Sequence, residues 1–534
     1  MSTTALLSVV IPTRSAPPSL ARALECLAHQ TLPPSDYEVI VVGGVTEAEI
    51  WQIVPADITY RVRVFSRPGP SPGLRRNAGA AEAHTNLVLF LDDDMAPEPD
   101  LLEAHYQAHV GGDGNRVVIG YLPPTHAIGA KGRSVDWFKA HLRDWWEDVF
   151  EEMVRPGHRF CHTDVLSGNL SLPTALFRDV GGFVLPSACR EDYELGVRLL
   201  QAGAEIIFCP TARSLHEDKT DEKRIIQRKI DEGKADVILA RLYPELRSTL
   251  VFSSQFSNLF WPGRLLRFLA RVWVDGSDRL VALLAPLLGL FENLRLRLPW
   301  RLLLGVMLVH AYWRGILSEA KDWNEIRSLA TPPPPPPLEN IDLACGLQAA
   351  AEELDHRRLS GVRFTWRKLP LGAIPYQASA EPVRSRHLCA WLEEKGALAY
   401  RRSQALYAAL GISDGDAVID VPNDGVQNRP DLCNSAPTDR LPRAVLEGRI
   451  KPAMLTEVDL GDGTAGLAPL LVSVRQRVVV RQGEQFLGWL FLEAQATPRT
   501  VSEVLYTMLV QLDDTLLIVQ SPEAAPGIRK NLKS

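Results

Sequence analysis

The first 95 residues alternate strand-length apolar runs with polar or helical stretches, and this rhythm limits the fold more than any other feature of the chain. The runs are Leu6–Ile11 (LLSVVI), Tyr37–Val42 (YEVIVV), Tyr60–Phe65 (YRVRVF) and Leu87–Leu91 (LVLFL). A strand that is apolar at nearly every position has to be covered on both faces, which calls for helices joining parallel strands. Ser19–His29 supplies one such helix: Leu20, Leu24, Leu27 and Ala28 share a face, and Ser19 suits its N-cap. The expected class is α/β, with a Rossmann-like, mostly parallel sheet. Ligands of such sheets bind beyond the carboxyl ends of the strands. Asp92–Asp93–Asp94 stands at such an end, directly after LVLFL.

The same unit continues through a Trp-rich helix over Trp137–Phe150, a turn at Gly181–Gly182 and a helix over Tyr193–Gln201 stopped by Gly203. A chain of 534 residues has room for two or three such units. Four segments are expected: a catalytic domain over 1–250, an amphipathic helical segment over 251–330, a proline-rich linker over 331–338 and an α+β domain over 339–534. Pro332–Pro337 would form a stiff polyproline spacer. Beyond it, helices are expected over His387–Glu394, Ala397–Leu410 and Val501–Leu512, with a hairpin pairing Ser473–Arg481 and Gln485–Phe491.

Between them, arginines 264, 267, 271, 279, 295, 297, 301 and 314 punctuate apolar runs at Leu280–Phe291 and Leu302–Val309. Both runs are shorter than the roughly 18 residues of a spanning helix. Two readings stay open for residues 264–317: an interfacial platform on an anionic membrane, or a helical pair packed under the catalytic domain. A net charge of −6 argues against a nucleic-acid partner. Seven scattered cysteines without a CxxC pair read as free thiols in a reducing compartment, and MSTTALLSVVIPTRS lacks the basic start of a signal peptide. The expected location is cytoplasmic, with the membrane's inner face as the peripheral alternative.

Chemistry concentrates in a few places. Carboxylates at i and i+2, as in Asp92 and Asp94, can reach one hard cation, which would neutralise a diphosphate lying beside them. Upstream, Gly73–Leu74–Arg75–Arg76–Asn77–Ala78–Gly79 combines close-approach glycines with arginines that suit phosphate charge. Downstream come Ser167–Gly168–Asn169–Leu170–Ser171 and Arg190–Glu191–Asp192–Tyr193. Glu191 and Asp192 open a helix, where the dipole favours an ionised carboxylate able to take a proton from a hydroxyl. His216 offers an imidazole for a metal shell. Alone, each piece has a plainer reading, as a solvated acid, a glycine turn, a helix cap or a packing histidine.

Taken in order, SVVIPT, RRNAG, FLDDD, GNLSLP, GGF and REDYELGVRLLQAG followed by a histidine resemble the family 2 glycosyltransferases over residues 5 to 245. That resemblance implies a GT-A fold, a nucleotide-sugar donor, Mn2+ or Mg2+, and a glycan, lipid-linked or other hydroxyl acceptor. It implies metal ligation by Asp92, Asp94 and His216. Donor contacts would come from Pro12, Arg76, Asn77, Asp92, Asp93 and Asn169, and the base from the Glu191–Asp192 pair, with Asp192 favoured. The mechanism implied is a single, inverting displacement. One departure stands out: Gly43–Gly44 follows the second strand where family members commonly carry acids that contact the nucleotide base. It keeps an alternative open, a degenerate domain serving as a binding or scaffold module. A sugar nucleotidylyltransferase is the weaker rival, because IPTRSAPP replaces the glycine-rich signature expected after its first strand.

Overall fold

The computed structural model describes residues 5–69, 71–112, 114–123, 137–185, 189–217, 222–258, 261–367, 369–409, 455–472, 476–483, 485–492 and 497–512. They fall in two compact units, one comprising Met1–Pro335 with Ala378–Glu381 and the other Pro336–Gln377 with Pro382–Ser534.

The first unit is built on an eight-stranded sheet of order β3-β2-β1-β4-β7-β6-β8-β5. The strands are β1 (Leu7–Thr13), β2 (Tyr37–Gly43), β3 (Arg61–Ser66), β4 (Leu87–Leu91), β5 (Met95–Pro97), β6 (Arg116–Tyr121), β7 (Asn169–Pro173) and β8 (Glu205–His216). β1, β2 and β4 are buried at every position, as near-continuous apolar runs require. β3, β2, β1 and β4 run parallel, β7 pairs antiparallel with β4 and β6, and β8 runs parallel to β6. The class is the expected α/β one, with interior β7 and edge strand β5 antiparallel to their neighbours.

Helices α1 (Pro18–Leu27), α2 (Glu47–Trp51), α3 (Pro72–Glu82), α4 (Leu101–His109), α5 (Trp137–Val154), α6 (Thr174–Asp179) and α7 (Glu191–Gln201) accompany the sheet. α1 starts one residue before the expected cap: Pro17 is its N-cap, Pro18 opens it, and Ser19 is buried. Proline suits that position because it has no N–H left to satisfy.

α8 (Glu222–Leu242) leads into α9 (Val251–Asn258), α10 (Trp261–Val272), α11 (Val274–Leu284), α12 (Pro286–Asn293), α13 (Arg297–Glu319) and α14 (Trp323–Leu329). The apolar run Leu280–Phe291 is thus two helices, broken where Pro286 starts a new one. α8 and α13 cross at glycines: a Cβ on Gly315 would sit 1.9 Å from the Ile230 carbonyl oxygen, and one on Gly233 2.2 Å from that of Tyr312. Val237, Ala240, Phe252, Trp313 and Ile316 fill the core beside that crossing. Among the described residues, no helix is long and apolar enough to cross a membrane.

The second unit holds two three-stranded sheets around one apolar core. In one, β10 (Val362–Trp366) lies between parallel β9 (Glu339–Asp342) and antiparallel β11 (Leu369–Ile374). In the other, β13 (Gln476–Gln482) lies between parallel β12 (Leu455–Asp459) and antiparallel β14 (Gln485–Leu492). Helices α15 (Leu347–Arg357), α16 (Ser385–Trp391), α17 (Ala397–Ala409) and α18 (Val501–Gln511) complete an α+β unit. The β13–β14 hairpin turns at Gly483, φ +59°. Ser473–Arg475 and Leu410, assigned to expected elements, lie outside the described residues. The six described cysteines form no disulfide with one another.

Candidate active site at the carboxyl rim of the sheet

The three aspartates after β4 are held by three different neighbours. Asp93 accepts a 2.5 Å hydrogen bond from the Thr13 hydroxyl at the end of β1. Burial, reinforced by the charges of Asp92 and Asp94, pushes its carboxyl up to about 6 despite that bond. Asp92 donates its backbone N–H to the Gly168 carbonyl at 3.2 Å. A Cβ on Gly168 would lie 3.0 Å from Asp92 Oδ2, so the glycine makes room for the carboxylate.

Asp94 meets His216 because β5 and β8 pair antiparallel with Met95 opposite His216. The imidazole Nε2 lies 3.6 Å from Asp94 Oδ2. Burial pushes the Asp94 carboxyl up, but His216 and Arg224 outweigh it and hold the group below its ordinary value.

Arg76, on α3 and only 3% exposed, joins this rim to α7. One guanidinium nitrogen donates to Asp92 Oδ1 at 2.6 Å and another to Glu191 Oε1 at 3.2 Å. The guanidinium also lies over the Phe183 ring, 5.4 Å from its centroid. Asn77, the next residue, clamps the glycine turn. Its Nδ2 donates to the Phe183 carbonyl at 2.7 Å and its Oδ1 accepts from the Phe183 N–H at 2.8 Å. Gly181 and Gly182 take φ of +85° and +64°, which a side chain would resist.

α7 opens on the acidic pair because Arg190 before it adopts φ +65°. That strained residue is held by Glu232 at 3.4 Å and Asp236 at 3.3 Å, both on α8. Tyr312 of α13 donates to Asp236 at 2.5 Å, so the α8–α13 crossing buttresses the first turn of α7. Burial raises the Glu191 carboxyl and the Asp192 charge adds to it, while Arg76 opposes. Burial likewise raises Asp192, against Arg76, Arg228 and Arg190. Asp192 keeps part of its surface open to solvent.

The residues singled out from sequence therefore divide. Asp92, Glu191 and Asp192 all feel the charge of Arg76, Asp93 is tied to the end of β1, and Asp94 is paired with His216. Asn169 is a different case: it is fully buried, and its amide is spent on the fold. Its Nδ2 donates to the carbonyls of Ala212 at 2.9 Å and Tyr121 at 3.4 Å, and its Oδ1 meets His105 Nε2 at 2.8 Å. No donor atom can reach an amide so enclosed. Pro12 is buried in β1 just past Val10, where the pairing with β4 ends, so its missing N–H costs no ladder bond. Among the described residues no three or more His, Cys, Asp or Glu side chains gather as a preformed metal cluster. Of the expected trio, Asp94 and His216 stand side by side, and Asp92 is bonded to Arg76. Sequence reasoning missed Thr13, Gly168 as the seat of Asp92, and Arg190. Each stands in a quoted motif, Thr13 in SVVIPT, Gly168 in GNLSLP and Arg190 in REDYELGVRLLQAG, but was given no role.

In a mostly parallel sheet, acids at the carboxyl rim and an acidic helix start stand where ligands of such folds bind. Residues 8–125 match the family model "Glycosyl transferase family 2". Over those residues the chain is similar to the family 2 glycosyltransferases.

It is 31% identical over 218 residues to validoxylamine A glucosyltransferase of Streptomyces hygroscopicus subsp. limoneus, covering 36% of this chain and 48% of the relative. It is 27% identical over 292 residues to the pre-mycofactocin glycosyltransferase of Mycobacterium tuberculosis, covering 53% and 56%. The chain thus spans about half the length of the curated relatives it matches. Among solved structures it is similar to a mannosyltransferase from Pyrobaculum calidifontis in complex with GDP-Man and Mn2+. The TM-score is 0.37 at 14% identity, over 59% of this chain and 88% of that one. Staphylococcus aureus TarS in complex with UDP-GlcNAc gives 0.34 at 16%, over 59% and 91%.

Proposed function

We propose that this chain is an inverting glycosyltransferase that moves a sugar from a nucleoside-diphosphate donor to an acceptor hydroxyl. One observation carries the reading: Arg76 bridges Asp92 and Glu191, so the donor-side and base-side acids share one cleft. Asp192 is the base. Its pKa is raised by burial, which suits a carboxylate that must accept a proton. The acceptor oxygen, losing that proton to Asp192, attacks the anomeric carbon as the bond to the diphosphate breaks.

Asp94 and His216 would hold Mn2+ or Mg2+, which supplies counter-charge for the leaving diphosphate. Two ligands of one such ion stand roughly 3 Å apart, so a pair separated by 3.6 Å suits the task. Thr13 and Arg76 orient the other two aspartates. Acceptors in glycan, polysaccharide or glycolipid synthesis fit this chemistry.

The test is Asp192→Asn, assayed for sugar transfer and, by calorimetry, for donor binding. Transfer should vanish while binding persists; loss of both would give Asp192 another role. A panel of UDP-, GDP- and dTDP-sugars screened by thermal shift with Mn2+ identifies the donor.

A second reading, a degenerate binding module, draws support from the β2 end. A Cβ on Gly44 would lie 2.7 Å from the Arg14 carbonyl oxygen, so an acid at that position has no room. Even slow hydrolysis of any nucleotide sugar with Mn2+ would exclude it.

A further inference from the structure

The unit's exposed apolar side chains are crowded into one stretch. Of 23 large hydrophobic residues exposed among those described, 13 fall between Trp261 and Leu302. α10 shows why. Its inner face buries Gly263, Leu266 and Ala270. Trp261, Leu265, Phe268 and Val272, spaced at i, i+4, i+7 and i+11, form a second apolar stripe that stays in solvent. Trp261 is 74% exposed and Phe268 58%. On the adjoining helices, Leu283 is 76% exposed and Leu298 69%. Monomers rarely leave so much apolar surface without a use.

The charge of the same stretch is opposite to that of the chain. Residues 261–302 carry seven arginines against three acids, a net +4 in a protein of net −6. Arg264, Arg271, Arg279, Arg295, Arg297 and Arg301 are all exposed. Apolar anchors among arginines match a surface that is hydrocarbon beneath and negative above.

We infer that α10 to α13 dock on the surface of an anionic lipid bilayer, with the α10 stripe entering the headgroup boundary. The helices lie on the membrane without crossing it. This goes beyond the proposed transfer reaction and does not depend on it.

The experiment is co-sedimentation of the full chain with vesicles of equimolar phosphatidylglycerol and phosphatidylcholine, and with phosphatidylcholine alone. The chain should bind the anionic vesicles, less so at high salt. Trp261→Ser with Phe268→Ser should cut the bound fraction about tenfold or more. Arg279→Glu with Arg301→Glu should weaken binding to the anionic vesicles alone. Both variants change exposed side chains, and unaltered melting confirms that the fold is kept. Absence of binding to anionic vesicles overturns the inference, as does equal binding by the Trp261–Phe268 variant. Dissolution of a dimer by that variant also overturns it, since a second copy would then cover the stripe. Nucleotide-sugar hydrolysis in solution should be unchanged in both variants, so failure here is distinct from failure of the transferase reading.

Discussion

Arg76 and Asp92 are joined by a 2.6 Å hydrogen bond between charged groups, and the other arm of the same buried guanidinium reaches Glu191. A cation so placed among acids does more than bind them: it lets them stay close. Arg76→Met leaves Asp92, Glu191 and Asp192 facing one another, at a cost of roughly 3–5 kcal/mol for breaking a buried ion pair. With the arginine gone, the folded-state pKa values of Glu191 and Asp192 rise further above their unfolded values. Acids raised in this way favour the fold when protonated. The variant's stability deficit should therefore be largest near neutral pH and shrink as pH falls, measured by denaturant unfolding.

Asp94 and His216 are predicted to set the requirement for metal. Asp94→Ala should remove metal-dependent donor binding, and His216→Ala should raise the Mn2+ concentration needed on the order of tenfold. Calorimetric titrations that match wild type in both variants would reject the pair as ligands.

His105 makes stability depend on pH. Fully buried, it takes a hydrogen bond from Ser171 and gives one to Asn169, each 2.8 Å long, which suits a neutral ring. Burial lowers its pKa to about 4. A base depressed in the fold is protonated first in the unfolded chain, so stability falls as pH drops from about 6.5 towards 4. The window corresponds to about 3 kcal/mol. His105→Gln should lose that much less between pH 7 and 4 than wild type, read from urea unfolding at each pH.

Gly315→Ala places a methyl group against the Ile230 carbonyl where α8 and α13 cross. Overpacking of this kind costs about 1–3 kcal/mol. Because Tyr312, Asp236 and Arg190 transmit that crossing to α7, kcat should fall more than KM rises. A variant that melts earlier yet keeps full kcat would show that α7 is held by other contacts.

Much of the fold is legible in local sequence. The runs at β1, β2 and β4 are apolar at positions that alternate across a sheet, so only burial on both faces satisfies them. The helix ending at Gly203 and the turn at Gly181–Gly182 follow from the φ values these glycines take, +81°, +85° and +64°. Asn169 turns its amide into the fold, which motif membership does not reveal, because it does not say whether a polar atom faces the cleft or the core. The Asn169 amide is enclosed by carbonyls of Tyr121 on β6 and Ala212 on β8, residues distant from it in sequence.

The sequence by itself determined the alternating α/β unit, the acids after β4 and the acidic start of α7, since each depends on residues within a few positions of one another. Only the tertiary structure decided that Arg76 spans Asp92 and Glu191, that His216 stands beside Asp94, and that α8 and α13 brace Arg190. Those are contacts between residues tens of positions apart, made by strand order and helix crossing, and no local pattern of side chains encodes which of them meet.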